Sequence, residues 1–322
     1  MFPSKENLTI CFAHAAYQMQ ARFEARKTGV KCFQVRSYDE FLKRIPEADV
    51  VSVSGMWKND LLPHAKKLKY IQSISSGMNQ FSEEAIGKAG VRLCSGAGVN
   101  AIAVAEHAIA LVLAVARRLP EARDNQHKKF WRGMIGDLTT REDEIAGKTM
   151  LVVGMGRIGS HLAKLGKAFG MKVIGIRQDP KKGTNGADSI HGMSDLVKLV
   201  PQADIVALTC SLTPETTGLM SAAAFAAMKP SAMFVNVARG KVADEAALVA
   251  AMQGNRIAAA ALDVTAEEPL AASSPLWELP NVFITPHTAG ETGAYEDNVV
   301  DIGIENLERL WKGDQVLRNQ VL

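Results

Sequence analysis

The sequence predicts an α/β protein with a doubly wound parallel sheet and a second, smaller α/β domain. Apolar, β-rich runs alternate with helical stretches along most of the 322 residues, a pattern typical of parallel sheets covered by helices. A glycine-rich turn of sequence GMGRIG, at 154–159, joins one of these runs to an amphipathic stretch. A chain of this length exceeds the usual size of one domain, so two domains are expected.

The first part of the chain carries five of the β-rich runs, at 8–12, 32–35, 50–53, 70–74 and 91–94. Helical stretches such as 16–27 lie between them. This alternation predicts a small flavodoxin-like α/β domain.

The larger domain is predicted from six further runs, at 149–153, 172–176, 205–208, 233–237, 258–263 and 282–285. Their nearly continuous apolar character fits strands that are covered on both faces. The segment 292–312 has a helical pattern, and we expect it to pack back on the first domain. We therefore assign 1–99 and 287–322 to a discontinuous smaller domain and 100–286 to the larger one, with a ligand cleft between them.

The composition excludes several classes of protein. Hydrophobic residues make up 47% and charged residues 22%, and the net charge of +3 is spread out, which gives no footprint for nucleic acid. The four cysteines are far apart and lack metal-ligand spacing, so we expect free thiols in a reducing compartment and no bound metal. The longest apolar stretch, 101–116, contains Glu106 and is too short to cross a bilayer. Because no signal region is evident either, we expect a cytoplasmic protein without a membrane partner.

The glycine turn has the context of a dinucleotide-binding (Rossmann) motif, because a strand-like run precedes it and a helical stretch follows it. Gly154 permits a tight turn, Gly156 lets a pyrophosphate approach the backbone, and Gly159 lets helix and strand pack closely. The helix N-terminus offers unpaired N–H groups to the phosphates. The alternative is a glycine-rich turn that binds no ligand.

The end of the second strand of this motif bears on the choice of nicotinamide nucleotide. NAD-binding proteins have an acidic residue there, which accepts hydrogen bonds from the ribose, whereas this sequence has Arg177. A guanidinium binds the 2′-phosphate of NADP bidentately, and Lys181 or Lys182 adds a second positive charge. The sequence therefore predicts NADP(H). The alternative is that Arg177 is a solvated charge and Asp179 reaches the ribose as in NAD enzymes.

Three chemically suitable side chains follow successive strands of the larger domain. Arg239 comes after the run 233–237, and His287 comes after the run 282–285. Between them, the run 258–263 ends at Asp263 and is followed by Glu267 and Glu268, any of which could supply an acid. Ligands bind at the carboxyl ends of the strands in open α/β sheets, so these residues predict a catalytic group there. A single histidine at such a position is usually structural, so the prediction of a catalytic group depends on finding the arginine, the acid and the histidine together.

These stretches resemble the D-isomer-specific 2-hydroxyacid dehydrogenase family. Further similarity lies in AEHA at 105–108, RRLP at 117–120, GK at 147–148 and LTPET at 212–216, and the resemblance covers about residues 70–313. It implies an oxidoreductase that transfers a hydride between NADP(H) and a D-2-hydroxy acid/2-keto acid pair.

The resemblance also implies roles for individual residues. Arg239 binds the substrate carboxylate and polarises the keto oxygen, and His287 donates a proton to that oxygen during reduction. Glu268 orients His287, and a carboxylate beside an imidazole favours its protonated form. The alternative partner is Glu267. Asp263 is expected near the nicotinamide.

Two further groups of contacts follow from the resemblance. Backbone N–H groups of the Ser76 and Gly77 loop meet the substrate carboxylate, the alternative being a plain turn after a strand. The further cofactor contacts implied are Arg157, Ile158, Cys210, Ser211, Thr216, Val237, Ala238, Asp263 and Gly290. The remaining histidines, among them His14 and His107, are interpreted as structural or exposed.

Assembly and substrate are expectations from the same resemblance. The helix from 101 to 118 and the stretch to Trp131 correspond to the dimerisation region of the family, so we expect a homodimer. Glyoxylate and hydroxypyruvate are the first candidate substrates, and larger keto acids remain open. The alternative function is a nucleotide-sensing interaction protein of the same fold that needs no turnover.

Overall fold

The computed structural model describes residues 2–322, apart from the side chain of Thr139. It divides into two compact units, Met1–Asn100 with Thr292–Leu322, and Ala101–Glu291. Each unit is built on one parallel sheet. The α/β fold class predicted from the sequence is therefore confirmed.

The first unit contains a five-stranded sheet, and each run predicted there forms a strand. The strands are β1 (Thr9–Ala13), β2 (Lys31–Val35), β3 (Val50–Val53), β4 (Tyr70–Ser73) and β5 (Arg92–Cys94). Their order in the sheet is β2-β1-β3-β4-β5. The helices of this unit are α1 (Met19–Ala25), α2 (Tyr38–Arg44), α3 (Glu83–Lys88) and the C-terminal helix (Tyr295–Lys312).

Helix α1 is shorter than the predicted stretch 16–27. The backbone N–H groups of Ala16 and Tyr17 donate to Nδ1 of His14 at 3.2 and 2.9 Å, which forms a turn before the helix begins at Met19. At the other end Lys27 has φ +49°, a left-handed conformation that takes the chain out of the helix.

Both faces of the first sheet are buried. One face packs with Phe41 of α2 and with Trp57. The other face packs with Val299 and Leu307 of the C-terminal helix. Because strands covered on both faces need apolar side chains in both directions, this packing explains their nearly continuous apolar runs.

The second unit contains seven strands, one more than the sequence predicts. They are β6 (Thr149–Val153), β7 (Lys172–Ile176), β8 (Ser189–His191), β9 (Ile205–Leu208), β10 (Met233–Asn236), β11 (Ala259–Leu262) and β12 (Val282–Ile284). Their order is β12-β11-β10-β9-β6-β7-β8. The strand that the prediction missed, β8, has three half-buried residues at the sheet edge and therefore lacks the apolar run of an inner strand.

The helices of the second unit cover both faces of this sheet. They are α4 (Ala101–Ala116), α5 (Leu119–His127), α6 (Arg157–Ala168), α7 (Leu196–Leu199), α8 (Ala222–Ala227) and α9 (Glu245–Gln253). The predicted helix 101–118 ends two residues early, because Arg118 is left-handed with φ +50° and α5 starts afresh with Pro120 in its first turn. Among the described residues, no helix is both long and apolar enough to cross a membrane.

The strand order defines where a ligand can bind on the second sheet. Strand β6 lies inside the sheet, between β9 and β7. The chain runs outward from β6 to β8 on one side and from β9 to β12 on the other. Ligands of open α/β sheets bind outside the carboxyl ends of the strands at such a reversal of strand order.

Candidate active site

The glycine turn follows β6 at this reversal. A Cβ at Gly154, which has φ +108°, would collide with the backbone of Cys210, and one at Gly159 would collide with the carbonyl of Gly154. These two glycines therefore allow the close packing of strand, turn and helix. Gly156 has open space around it and precedes α6, whose first turn directs backbone N–H groups outward without a side-chain cap. Open space beside such N–H groups fits a phosphate.

The loop after β7 carries the residues predicted to select the cofactor. Arg177 is half-buried, and its Nη1 donates to the carbonyl oxygens of Lys182 and Gly183 at 3.3 and 3.2 Å. The Asp179 carboxylate accepts from the backbone N–H of Lys181 at 3.1 Å and caps the short turn Pro180–Lys182. Asp179 is thus engaged by its own loop, while Arg177 forms no salt bridge with any described residue.

The imidazole of His287 and the carboxylate of Glu268 are in direct contact. Nδ1 of His287 lies 2.7 Å from Oε2 of Glu268, and Oε1 of Glu268 accepts from the backbone N–H of Thr265 at 3.1 Å. The structure pairs His287 with Glu268 and not with the alternative, Glu267, whose carbonyl oxygen instead accepts from the Thr265 hydroxyl. A carboxylate on Nδ1 fixes the ring orientation and leaves Nε2 for another partner.

Asp263 holds the backbone of the loop that carries His287. Its carboxylate is buried and accepts from the Thr285 hydroxyl at 2.6 Å and from the backbone N–H groups of Thr288 and Ala289, both at 3.0 Å. Its carbonyl oxygen accepts from the N–H of His287 at 2.8 Å. These bonds tie the loop to the second unit, which therefore extends to Glu291, beyond the predicted boundary at 286. They also hold His287 at φ +55°, a conformation that non-glycine residues rarely adopt.

His107 is a contact of this network that sequence reasoning missed. Its Nε2 lies 2.9 Å from the Thr285 hydroxyl and 3.5 Å from the Asp263 carboxylate. Because the Thr285 hydroxyl donates to Asp263, it accepts from Nε2–H of His107. This contact joins α4 to the loop of His287. No spacing in the sequence relates positions 107 and 285, so no sequence signal was available.

The loop after β10 presents Arg239 at the surface. Asn236 is buried; its side-chain oxygen accepts from the N–H of Ala238 at 3.0 Å, and its amide donates to the carbonyl of Arg239 at 3.1 Å. A Cβ at Gly240 would collide with the backbone of Thr265. The loop of Arg239 is thus pressed against the residue whose N–H binds Glu268. Since β10, β11 and β12 are neighbours, Arg239, Glu268 and His287 follow three adjacent strands.

The other predicted cofactor contacts in the second unit follow strands or lie in loops at this edge. Cys210 and Ser211 come directly after β9, and burial raises the pKa of the Cys210 thiol to about 11, so it is neutral. The Thr216 hydroxyl donates to the carbonyl of Ser211 at 2.7 Å. The remaining predicted contacts are Arg157 and Ile158 at the start of α6, Val237 and Ala238 directly after β10, and Gly290 in the loop of His287. Among the described residues no group of His, Cys, Asp and Glu is suited to hold a metal ion.

The predicted substrate loop belongs to the first unit. Ser76 and Gly77 are exposed after β4. The Ser75 hydroxyl donates to the carbonyl of Gly77 at 3.0 Å and lies 2.7 Å from the hydroxyl of Ser54. The loop is therefore anchored from its base, with the backbone of its tip exposed.

Comparison with known proteins defines the class of this chain. The family model for the D-isomer specific 2-hydroxyacid dehydrogenase, NAD binding domain, matches residues 109–289. The chain belongs to this family.

Several curated relatives are similar over most of the chain. A glyoxylate reductase of Aeropyrum pernix is 34% identical over 289 residues, which cover 87% of this chain and 85% of that one. A D-3-phosphoglycerate dehydrogenase of Archaeoglobus fulgidus is 36% identical over 88% of this chain and 53% of its own. The chain thus spans about half the length of the phosphoglycerate dehydrogenases that it matches. Among solved structures, a D-isomer specific 2-hydroxyacid dehydrogenase family protein from Aeromonas salmonicida superposes with a TM-score of 0.84 at 28% identity, covering 98% of this chain and 99% of that one.

Proposed function

We propose that this protein transfers a hydride between a nicotinamide nucleotide and a D-2-hydroxy acid/2-keto acid pair. The contact of 2.7 Å between Nδ1 of His287 and Glu268 carries this proposal. It creates an oriented proton donor at the end of β12, two strands away from the exposed guanidinium of Arg239 after β10. A general acid beside a group that binds carboxylates is suited to the reduction of a 2-keto acid.

The proton and the charges are handled by side chains of the second unit. Arg239 binds the substrate carboxylate and polarises the keto oxygen. Glu268 holds Nδ1–H of His287, so Nε2 carries the proton that passes to the keto oxygen during reduction and returns during oxidation. The glycine turn fits a dinucleotide, since Gly156 leaves open space beside the N-terminus of α6. When bound, the nicotinamide supplies or accepts the hydride.

We assign the cofactor to the second unit and propose a preference for NADP(H). In support, Arg177 has no carboxylate partner among the described residues, and Lys181 and Lys182 follow it in the same loop. Asp179 is occupied by the N–H of Lys181, which disfavours the alternative that it binds the ribose of NAD. A guanidinium suits a 2′-phosphate, which carries nearly two negative charges.

The substrate is proposed to be a small keto acid, with glyoxylate and hydroxypyruvate tested first. Relatives named glyoxylate reductase and glyoxylate/hydroxypyruvate reductase B support this choice. Backbone N–H groups of Ser76 and Gly77 in the first unit are proposed to bind the substrate carboxylate as well. Their exposed position on an anchored loop supports this role.

The test is oxidation of NADPH and of NADH by the purified protein with glyoxylate, hydroxypyruvate and larger keto acids. The proposal expects keto-acid-dependent turnover and a higher kcat/KM for NADPH than for NADH. Turnover with NADH ahead would overturn the cofactor preference alone. Tight cofactor binding without turnover of any keto acid would overturn the enzymatic proposal in favour of a nucleotide-sensing protein.

We also propose that the protein forms a homodimer through the segment after α5. Four large apolar side chains of this segment are mostly exposed, at 59%, 96%, 102% and 75% of their full area, and are Phe130, Trp131, Met134 and Leu138. Such a concentration of exposed apolar residues is typical of a contact surface. A second copy of this chain is the proposed partner, because the resemblance assigns dimerisation to the region that ends at Trp131 and this segment continues it.

A further inference from the structure

The first unit has a groove at the carboxyl edge of its sheet that the proposed chemistry does not use. Its volume is about 390 Å³. The lining residues come from the loops after β1 and β3 and from the first turn of α2, and are His14, Ala15, Tyr38, Gly55, Met56 and Lys58. A groove of this size accommodates several carbon atoms of a small ligand.

His14 supplies a hydrogen-bond donor of fixed orientation to this groove. Its Nδ1 accepts from the N–H groups of Ala16 and Tyr17, and its ring stacks on that of Tyr17 with the centroids 4.0 Å apart. Burial lowers the pKa of His14, so the ring is neutral near pH 7. A neutral imidazole that accepts at Nδ1 carries its hydrogen on Nε2. His14 therefore acts as a rigid N–H donor beside the groove.

Lys58 supplies a positive charge on the same groove. Its ammonium lies 4.2 Å from the centroid of the Tyr38 ring and forms no salt bridge with any described residue. The nearby carboxylate of Asp60 accepts from the Tyr38 hydroxyl at 2.7 Å. Arg36 adds positive charge behind the groove, where its Nη1 donates to the carbonyl of Ala15 at 3.2 Å. A rigid N–H donor together with a lysine that forms no salt bridge with any described residue suits an oxyanion.

The groove adjoins the loop proposed to bind the substrate carboxylate. Ser54 directly precedes Gly55 of the groove, and its hydroxyl lies 2.7 Å from that of Ser75. Gln80 donates to the same Ser54 hydroxyl at 3.2 Å. The groove and the loop that carries Ser76 and Gly77 are therefore neighbours, joined through Ser54 and Ser75.

We propose that this groove binds the distal end of the substrate and selects 2-keto acids that carry an oxyanion there, either a carboxylate or a phosphate. The proposal rests on the proposed function and adds the substrate class to it. His14 donates from Nε2 and Lys58 pairs with the oxyanion, while Met56 contacts the methylene groups between the two ends. Glyoxylate has no side chain that reaches the groove, so its turnover reports only on the hydride and proton transfer that all these keto acids share.

The test compares pairs of keto acids that differ only in whether the distal end carries an oxyanion. The pair is 2-ketoglutarate and 2-ketovalerate, with 3-phosphohydroxypyruvate and hydroxypyruvate as a second pair that separates phosphate from carboxylate. In the wild-type protein we expect kcat/KM to be about tenfold or more higher for the oxyanion-bearing keto acid than for its partner in at least one pair. This is the scale of a hydrogen bond to a charged group. Lys58→Met should abolish most of that ratio, mainly through KM. Lys66→Met, which removes an exposed lysine of the same unit outside the groove, should leave the ratio unchanged.

The outcomes separate this proposal from the one on which it rests. Turnover of all four keto acids without preference would overturn the groove assignment and leave the proposed function standing. A preference that persists in Lys58→Met would also overturn it. Absence of turnover with glyoxylate and with every other keto acid would overturn the proposed function itself, and the groove assignment with it.

Discussion

His287 is held at both its side chain and its backbone. Glu268 fixes the ring through Nδ1, and Asp263 fixes the backbone at φ +55°. A left-handed residue other than glycine costs about 1–2 kcal/mol, so the hydrogen bonds of Asp263 must offset this cost. The proton donor is thus positioned by two carboxylates with different tasks, one at the ring and one beneath the loop.

The link between His107, Thr285 and Asp263 gives a prediction about stability. Thr285→Val removes the hydroxyl that donates to the buried carboxylate and accepts from His107. We expect the free energy of unfolding to fall by about 1–3 kcal/mol, the cost of leaving buried polar groups without a partner. Urea denaturation measures this change. Thr288→Val is the matched control, because the described hydrogen bonds of Thr288 involve its backbone only, and it should change stability by less than about 0.5 kcal/mol. If both variants lowered the free energy of unfolding equally, the proposed network would not be a source of stability.

A second prediction at the residue scale concerns Arg177. Arg177→Gln removes the positive charge while keeping a side chain of similar length. The ratio of kcat/KM for NADPH to that for NADH should fall about tenfold or more, since a hydrogen bond between charged groups contributes ~1.5–3 kcal/mol. Steady-state kinetics with both nucleotides measures the ratio. An unchanged ratio would show that another residue recognises the 2′-phosphate or that none does.

At the scale of elements, the site depends on how tightly the strand-end loops pack. Gly240→Ala places a methyl group against the backbone of Thr265 and forces apart the loops that carry Arg239 and the N–H partner of Glu268. We expect a loss of about 1–3 kcal/mol in stability from overpacking, together with a fall in kcat. Thermal denaturation and turnover are measured on the same sample. Gly293→Ala, where the added methyl meets open space, is the control. If the two variants behave alike, the close approach at Gly240 has no importance for the site.

The sequence predicted the strands that apolar side chains bury on both faces of a sheet. The inner strands could be found because burial on both faces demands a continuous apolar run. Strand β8 was missed because an edge strand of three residues has no such demand. The start of α1 depends on His14 accepting two backbone N–H groups, and a helical pattern cannot reveal this turn.

The candidate active site also combines features that a sequence pattern predicts with features that depend on tertiary packing. Arg239, Glu268 and His287 could be proposed together because carboxyl ends of parallel strands share one edge. The partnership of His107 with Thr285 joins positions 178 residues apart and follows from tertiary packing alone. The donor role proposed for His14 has no sequence signal either, since it depends on which ring nitrogen the backbone of its own loop occupies.

At the scale of the whole molecule, the proposed homodimer follows from the exposed apolar segment after α5. Met134→Glu puts a charge into the proposed interface, where an unpaired buried charge is strongly unfavourable. We expect the mass in solution to fall from that of two chains to that of one, measured by sedimentation or light scattering. Val316→Glu is the control, because Val316 is also exposed, at 69%, but lies outside this segment. A wild-type protein that is already monomeric would contradict the proposal.

The most direct test of the proposed chemistry is the rate of glyoxylate-dependent NADPH oxidation in the wild-type protein and in His287→Ala. Since His287 is the proposed general acid, its removal should lower kcat by about a hundredfold or more while NADPH binding, measured by fluorescence, is retained. His64→Ala, which removes an exposed histidine of the first unit, should leave the rate unchanged. Near wild-type turnover in His287→Ala would contradict the assignment of the proton donor and, with it, the mechanism built on the pair of Glu268 and His287.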